Sequence, residues 1–313
     1  MNIDQHVLVT GGAGYIGSVL IPMLLKLNKR VTLLDSFQTT SPESFSKLQA
    51  QGLSIIQGDL RDQSVVQQSL ENNTSVIYLA GVSDGRAGRI NPELTKSVNY
   101  DAFASFAASA KDAGCRRFVF ASTFGVYGYN YTIPLVENLP PDPQEPYSSS
   151  KLAAEQILQG LNDDKFSAVT LRFAMVYGYS PNMRLDFIVN KLIYDAINSG
   201  NINVLGGSQI RPQIHIRDVG RYLVKMLELP VEKMAGQIFN ACGFNKSIAQ
   251  IASEIKQYLG KDTSINYLSG REKETSFRLS QKKIEEITGL IPEVSLAQGI
   301  DELKANFHLL HTS

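Results

Sequence analysis

The sequence predicts an α/β fold in which a doubly wound parallel sheet is followed by a smaller C-terminal α/β lobe. Short, nearly continuous apolar runs, the pattern of strands buried on both faces, alternate with longer stretches of helical period. A chain of 313 residues also exceeds what one hydrophobic core usually organises, so two units meeting at a cleft are expected.

Strands are expected over residues 6–10, 30–35, 53–57, 75–80, 117–122 and 167–173. Helical patterns between them, over residues 15–27, 92–113 and 147–161, give the βαβ repeat of a parallel sheet with right-handed crossovers. After about residue 174 the rhythm shortens. A helix from Arg184, strands near Val204 and His215, a helix from Val219, and helices near Ile248 and Lys282 are expected there. The boundary is therefore placed between a first unit, 1–174, and a lobe, 175–313, interleaved with it. Asp218 is positioned to cap the helix expected at Val219. The stretch from Pro134 to Pro146 holds five prolines and reads as a loop ahead of the third helix, where loops tend to border sites.

Thirty basic residues balance thirty acidic ones, and no Lys/Arg cluster gathers on one expected element, so nucleic acid and anionic membranes are not expected partners. Cys115 and Cys242 are too few for a disulfide framework, which fits a reducing compartment. The N-terminus lacks the pattern of a secretory signal and no apolar run is long enough to span a membrane, so the cytoplasm is expected. His6, His215, His308 and His311 do not combine with the cysteines at a metal-ligand spacing, and no metal site is expected.

The first expected strand runs into Gly11-Gly12-Ala13-Gly14-Tyr15-Ile16-Gly17, which contains G-x-G-x-x-G at Gly12, Gly14 and Gly17 directly ahead of a helix. Glycines let the backbone turn sharply and approach a pyrophosphate, whose charge the N–H groups and dipole at the helix start stabilise. Asp35 ends the second strand, where a carboxylate hydrogen-bonds the adenosine ribose of a dinucleotide. It would repel the 2′-phosphate of NADP, and Ser36, Phe37 and Gln38 offer no basic residue to pair that phosphate. The pattern is that of a Rossmann domain binding NAD.

Tyr147 and Lys151 place a phenol and an ammonium one helical turn apart. With 13 tyrosines in the chain such a spacing is weak alone. The set made by Thr10 to Gly17, Gly58-Asp59-Leu60, Leu79-Ala80-Gly81, Asn99, Ser122-Thr123 to Val126-Tyr127-Gly128 and the Tyr147/Lys151 pair occurs in the order seen in extended short-chain dehydrogenases/reductases. Leu171-Arg172-Phe173 to Val176-Tyr177-Gly178 and Arg211 to Val219 are similar to substrate-lobe motifs of the nucleotide-sugar epimerase/dehydratase branch. The resemblance covers nearly the whole chain.

The resemblance implies that Tyr147 is the base for a sugar hydroxyl, that Lys151 lowers its pKa and holds the nicotinamide ribose, and that Thr123 hydrogen-bonds the reacting oxygen. A free phenol titrates near ~10, so work at neutral pH asks for a shift of ~3 units, about 4 kcal/mol. Gly11, Gly14, Tyr15, Ile16, Gly17, Asp35, Asp59, Leu60, Leu79, Ala80, Gly81 and Asn99 are expected to bind NAD with Tyr147 and Lys151. Tyr78 replaces the family's more usual His. Ser83 and Arg86 are expected to face the sugar, and Arg211 and Arg271 the nucleotide diphosphate, because guanidinium forks match phosphate oxygens. Glu272-Lys273-Glu274 replaces the family's usual Gly-Asp after the last arginine.

The expected function is NAD-dependent epimerisation of a nucleotide-linked sugar through a transient keto sugar. A nucleotide-sugar dehydrogenase or ketoreductase and a noncatalytic NAD sensor are the alternatives. In the resembling 4,6-dehydratases an Asp-Glu pair follows the catalytic Thr, where Phe124 and Gly125 stand here. Relatives that invert carbons beside the ketone add a Cys or His at places matching Gly125 and Ser180. Inversion is therefore expected at the oxidised carbon itself, most simply C4. A homodimer is implied through the second and third expected helices, with Phe103, Phe106 and nearby alanines as the interface.

Overall fold

The protein is described by a computed structural model covering residues 6–83, 90–129, 133–260, 262–268 and 275–311. Six apolar runs form parallel strands: β1 (His6–Thr10), β2 (Arg30–Asp35), β3 (Leu53–Gln57), β4 (Ser75–Tyr78), β5 (Arg117–Thr123) and β6 (Ser167–Phe173). Later come β7 (Met175–Tyr177), β8 (Asn201–Leu205), β9 (Ile210–His215), β10 (Ile238–Ala241), β11 (Phe244–Ser247) and β12 (Ser264–Leu268). A seven-stranded sheet has the order β10-β6-β5-β4-β1-β2-β3, every neighbouring pair parallel. Sequence position alone does not foretell β10: it lies more than sixty residues beyond β6 yet pairs with it, Phe239 opposite Leu171.

Side chains of consecutive strand residues point to opposite faces and so build two cores. On one face Val7, Val9, Leu33, Val119 and Leu171 pack against α1 (Gly17–Lys26) and a later helix, Ile216–Glu228. On the other side lie α2 (Gln63–Leu70), α3 (Pro92–Lys96), α4 (Phe103–Asp112) and α5 (Pro146–Leu161): Leu8, Val76, Tyr78, Phe118 and Phe120 meet α2, α4 and α5, and α3 packs against α5. A π-helical segment over Ser97–Ala102 joins α3 to α4. The lobe has its own core between α6 (Ile188–Ser199), β8, α8 (Ile248–Leu259) and α10 (Leu296–Ala305). The helix Ile216–Glu228 is α7, and Lys282–Thr288 is α9.

Two expectations are corrected. Phe103 and Phe106 are not available to a partner: both are wholly buried against Tyr78 and Phe118 on their own sheet. Asp218 does not cap the helix it sits in, which begins two residues earlier and is capped by the His215 ring accepting from Arg217 N at 3.2 Å. The Asp218 carboxylate instead accepts from the Glu293 and Val294 backbone N–H groups, both at 3.1 Å at their shorter contacts, and pairs with Arg221. It anchors the segment leading into α10.

Phe118 touches the rings of Tyr78, Phe103, Phe106 and Phe166, so it has no free space into which neighbours could collapse. Phe118→Ala is expected to lower unfolding free energy by about 3–5 kcal/mol in urea titration. A loss below about 1 kcal/mol would contradict this description of the core.

Candidate functional site

Strand order reverses between β1 and β4, and in open α/β sheets such a reversal opens a crevice beyond the carboxyl ends of the strands. A cleft of about 1100 Å³ lies there. Its floor is the loop from β1 into α1. Gly11 has φ +66°, a conformation L side chains rarely adopt, and a Cβ there would come within 2.5 Å of the Ala80 backbone. At Gly14 an added Cβ would meet only the Gly11 carbonyl oxygen, at 3.2 Å, and Gly14 lines the cleft. The missing side chain lets a ligand approach the backbone beside the start of α1, where N–H groups favour a pyrophosphate.

Asp35 ends β2 at the cleft. One carboxylate oxygen accepts from Ala13 N at 3.0 Å and the other from Phe37 N at 2.8 Å. The carboxylate thus braces the glycine loop while bordering the space a ribose would fill. Leu60, Leu79, Ala80, Gly81 and Ile16 line the same groove. Asp59 also lines it, with its carboxyl held below the usual range by hydrogen bonds from Arg61. Tyr15 lines the groove, but its hydroxyl donates to Gly178 O in the lobe at 2.6 Å, and burial pushes this phenol's pKa up. Asn99 does not line it. Its amide accepts from Val82 N and donates to Val82 O and to Ser150 Oγ, tying the loop after β4 to α5.

Across the groove, α5 opens with Pro146 at its first position, suited to a residue with no N–H to satisfy. Tyr147 and Lys151 follow and both line the cleft with Thr123. Lys151 is buried: its Nζ donates to Ala121 O at 2.9 Å, lies 4.7 Å from the Phe120 ring centroid and 5.9 Å from that of Tyr147. Burial pushes its pKa down to about 8, opposed by the charge of Glu155. Thr123 Oγ1 accepts from Gly125 N at 3.1 Å, so its own O–H remains to donate elsewhere. Ser83 lines the cleft and accepts from Arg184 Nη1 at 2.9 Å. Arg211 lines it too, donating to Thr275 O and Ile210 O over the face of Phe277. Arg86 and Arg271 lie outside the described residues.

Sequence reasoning missed the segment after Gly178. Ser180 donates to Tyr15 O, Asn182 donates to Ala13 O and Thr39 Oγ1, and Arg184 reaches Ser83, so this stretch strings the lobe to the glycine loop and across to the loop after β4. Arg184 also pairs with Asp186 and packs on Phe187. Read along the sequence, that segment resembles the start of a helix. It is a loop, held where Asn190 Nδ2 donates to the Arg184 carbonyl and Gly178 N donates to Asn190 Oδ1.

A seven-stranded parallel sheet, a glycine loop with an acidic strand end, and a Thr/Tyr/Lys set on β5 and α5 define an extended short-chain dehydrogenase/reductase. The model described as the NAD dependent epimerase/dehydratase family matches residues 7–242, and the chain belongs to that family. It is 26% identical over 289 residues to a UDP-glucose 4-epimerase of Bacillus subtilis, covering 85% of either chain. A UDP-glucose 4-epimerase of Streptomyces lividans is 32% identical over 182 residues, 57% of this chain and 54% of that one. The solved UDP-glucuronic acid 4-epimerase from Bacillus cereus, in complex with UDP-glucuronic acid and NAD, is 25% identical with a TM-score of 0.85, covering 98% of this chain and 100% of that one. MoeE5 in complex with UDP-glucose and NAD is 26% identical with a TM-score of 0.82, covering 97% and 99%.

NAD is the cofactor, and the groove fits it: the space at Gly14 accepts a pyrophosphate, the Asp35 carboxylate suits ribose hydroxyls, and Lys151 presents a buried ammonium. A 2′-phosphate would oppose Asp35 in a partly dry site, so NADP is expected to bind at least about a hundredfold more weakly in isothermal titration. Equal affinities would contradict the placement of Asp35 at the ribose.

Proposed function

We propose that the protein is a 4-epimerase of a UDP-linked sugar, acting through a transient 4-keto sugar. The observation that carries this reading is the convergence of Thr123, Tyr147 and Lys151 on the wall of the dinucleotide groove, with Gly125 and Ser180 at the two places where the resembling enzymes that invert a neighbouring carbon add an acid/base. Gly125 has no side chain, and Ser180 is fully buried with its hydroxyl donated to Tyr15 O at 2.8 Å. Neither can move a proton at a carbon next to a ketone, which leaves inversion to the oxidised carbon. The UDP-sugar 4-epimerases among the relatives support the choice of carbon and nucleotide.

NAD, when bound, supplies reversible removal and return of the hydrogen on the reacting carbon. Tyr147 accepts the sugar hydroxyl proton and returns it. Lys151, charged at neutral pH with its pKa near 8, stabilises the phenolate form of Tyr147 one turn before it and offers its remaining N–H donors to the nicotinamide ribose. Thr123 directs its hydroxyl at the reacting oxygen. Arg211 and Arg271 take the diphosphate, and Ser83 faces the sugar. Asn99 acts on the cofactor indirectly, by fixing the Gly81–Val82 turn.

The enzyme acts as a homodimer in the cytoplasm. Both cysteines are free and buried, which suits a reducing compartment, and no helix among the described residues is long and apolar enough to cross a membrane. With Phe103 and Phe106 inside, the dimer surface includes Tyr100, which is 37% exposed on the segment after α3. Light scattering at micromolar concentration is expected to give twice the chain mass; a monomer would contradict the dimer.

Incubated with UDP-galactose, the NAD-loaded protein is expected to produce the anomeric NMR signals of UDP-glucose with no added oxidant or reductant. Tyr147→Phe is expected to lose about 10²–10⁴ in turnover with NAD affinity nearly unchanged. Full activity in that variant would contradict Tyr147 as the base. Failure with every UDP-sugar tried would contradict the reaction.

A further inference from the structure

Beneath the Thr123/Tyr147/Lys151 set lies a buried ion pair that the mechanism above does not use. Glu155 and Arg172 are 1% and 2% exposed, against 5% for Lys151. Arg172, on β6, donates from Nη2 to Glu155 Oε2 at 2.6 Å and from Nε to both carboxylate oxygens at 3.1 and 3.2 Å. Ser122 Oγ donates to Glu155 Oε1 at 2.5 Å. The Arg172 guanidinium also packs over the Tyr127 ring, 4.8 Å from its centroid, and the Tyr127 hydroxyl donates to Asn240 on β10.

The register of these contacts ties the pair to the reacting groups. Lys151 and Glu155 are one turn apart on the same helix, so they lie on the same face. That face meets two consecutive residues of β5, immediately before Thr123. The carbonyl of Ala121 holds Lys151 Nζ, the hydroxyl of Ser122 holds Glu155, and the next residue is Thr123. A buried pair is weak evidence for stability, because apolar residues of equal volume often do as well. Its placement here has a different consequence.

We propose that Glu155 is a positioning residue that keeps Lys151 charged: its carboxylate is the buried countercharge to the Lys151 ammonium, and Arg172 and Ser122 fix it in place. This rests on the reading of Lys151 as a cationic partner of Tyr147. Burial alone favours the neutral amine, and the nearby carboxylate opposes it. Among the described residues no other carboxylate does the same. Of the other groups on elements packed around Lys151, Lys96 and Asp101 pair with each other at the surface, Lys111 pairs with Asp163 at the far end of α5, and Arg117 donates to Leu229 O at the opposite end of β5. Glu93 and Asp112 are exposed, Glu145 is half-buried at the mouth of the cleft, burial pushes the Tyr127 phenol up, and Tyr147 is the reacting partner of Lys151 itself.

The test is the titration of Lys151 itself in protein carrying [ε-¹³C]lysine, its resonance identified by loss in Lys151→Arg. In the wild type the midpoint is expected near pH 8. Glu155→Gln keeps the shape and an oxygen for Ser122 but removes the charge, and is expected to move the midpoint down by about one unit or more. The alkaline limb of kcat/KM for the UDP-sugar should move with it. Glu155→Gln combined with Arg172→Met removes the unpaired guanidinium as well, so it keeps the test available where the single variant does not fold, and its midpoint is also expected below that of the wild type. A midpoint equal to the wild type in the folded variant, or activity lost equally at every pH with the limb unmoved, would overturn the proposal. If the wild type turns over no UDP-sugar, the epimerase reading fails separately, and the Lys151 midpoint alone decides this one.

Discussion

The reversal of strand order between β1 and β4 is the constraint on which the rest of the structure depends. A parallel sheet sends every strand's carboxyl end to the same edge, and the reversal keeps the crossover helices from covering that edge at one point. The glycine loop after β1, Asp35 at the end of β2, Leu79 to Gly81 after β4 and Thr123 at the end of β5 therefore face one opening. The lobe closes it by direct hydrogen bonds to the glycine loop through Tyr15, Ser180 and Asn182. The cofactor groove and the lobe are thus one built unit. The lobe's sequence also returns to complete the sheet through β10.

The chemistry requires charge in a place that discourages it. An ammonium beside a reactive phenol is most effective in a dry site, where fields are strong, yet burial lowers its affinity for a proton. Lys151 sits at that balance, its pKa near 8, with the Ala121 carbonyl and the Glu155 carboxylate on the favourable side. The site consequently extends below the cleft wall into the core, and the second layer is ionic where an apolar one would serve folding equally well.

Much of this was legible in the sequence because the strands are buried on both faces. The apolar runs at 6–10, 30–35, 53–57 and 167–173 have the ends the structure gives them, and the glycine motif and Asp35 stand where local order alone places them. What failed to show depends on distant partners. The four residues of β10 are too few to signal a strand until β6 lies beside them. Gln63–Leu70 is rich in glutamine and carries little helical pattern, yet it forms a helix capped by Asp62. Arg184 looked like a helix start because its binding to Ser83 and the hold of Asn190 on its carbonyl cross long stretches of chain. Phe103 and Phe106 show the limit of composition: apolar residues on a helix suit a partner or the helix's own sheet equally well, and only the packing decides.

The central claim is that one carbon is oxidised and reduced within a single bound complex by residues of β5 and α5. Turnover of a UDP-sugar carrying deuterium at C4, run in ordinary water, and of unlabelled substrate in D₂O, tests it most directly. The account predicts a product that keeps its C4 deuterium in the first case and gains no carbon-bound deuterium in the second. Stoichiometric solvent deuterium on carbon would contradict it, because it would require an acid/base at a neighbouring carbon that Gly125 and Ser180 cannot provide.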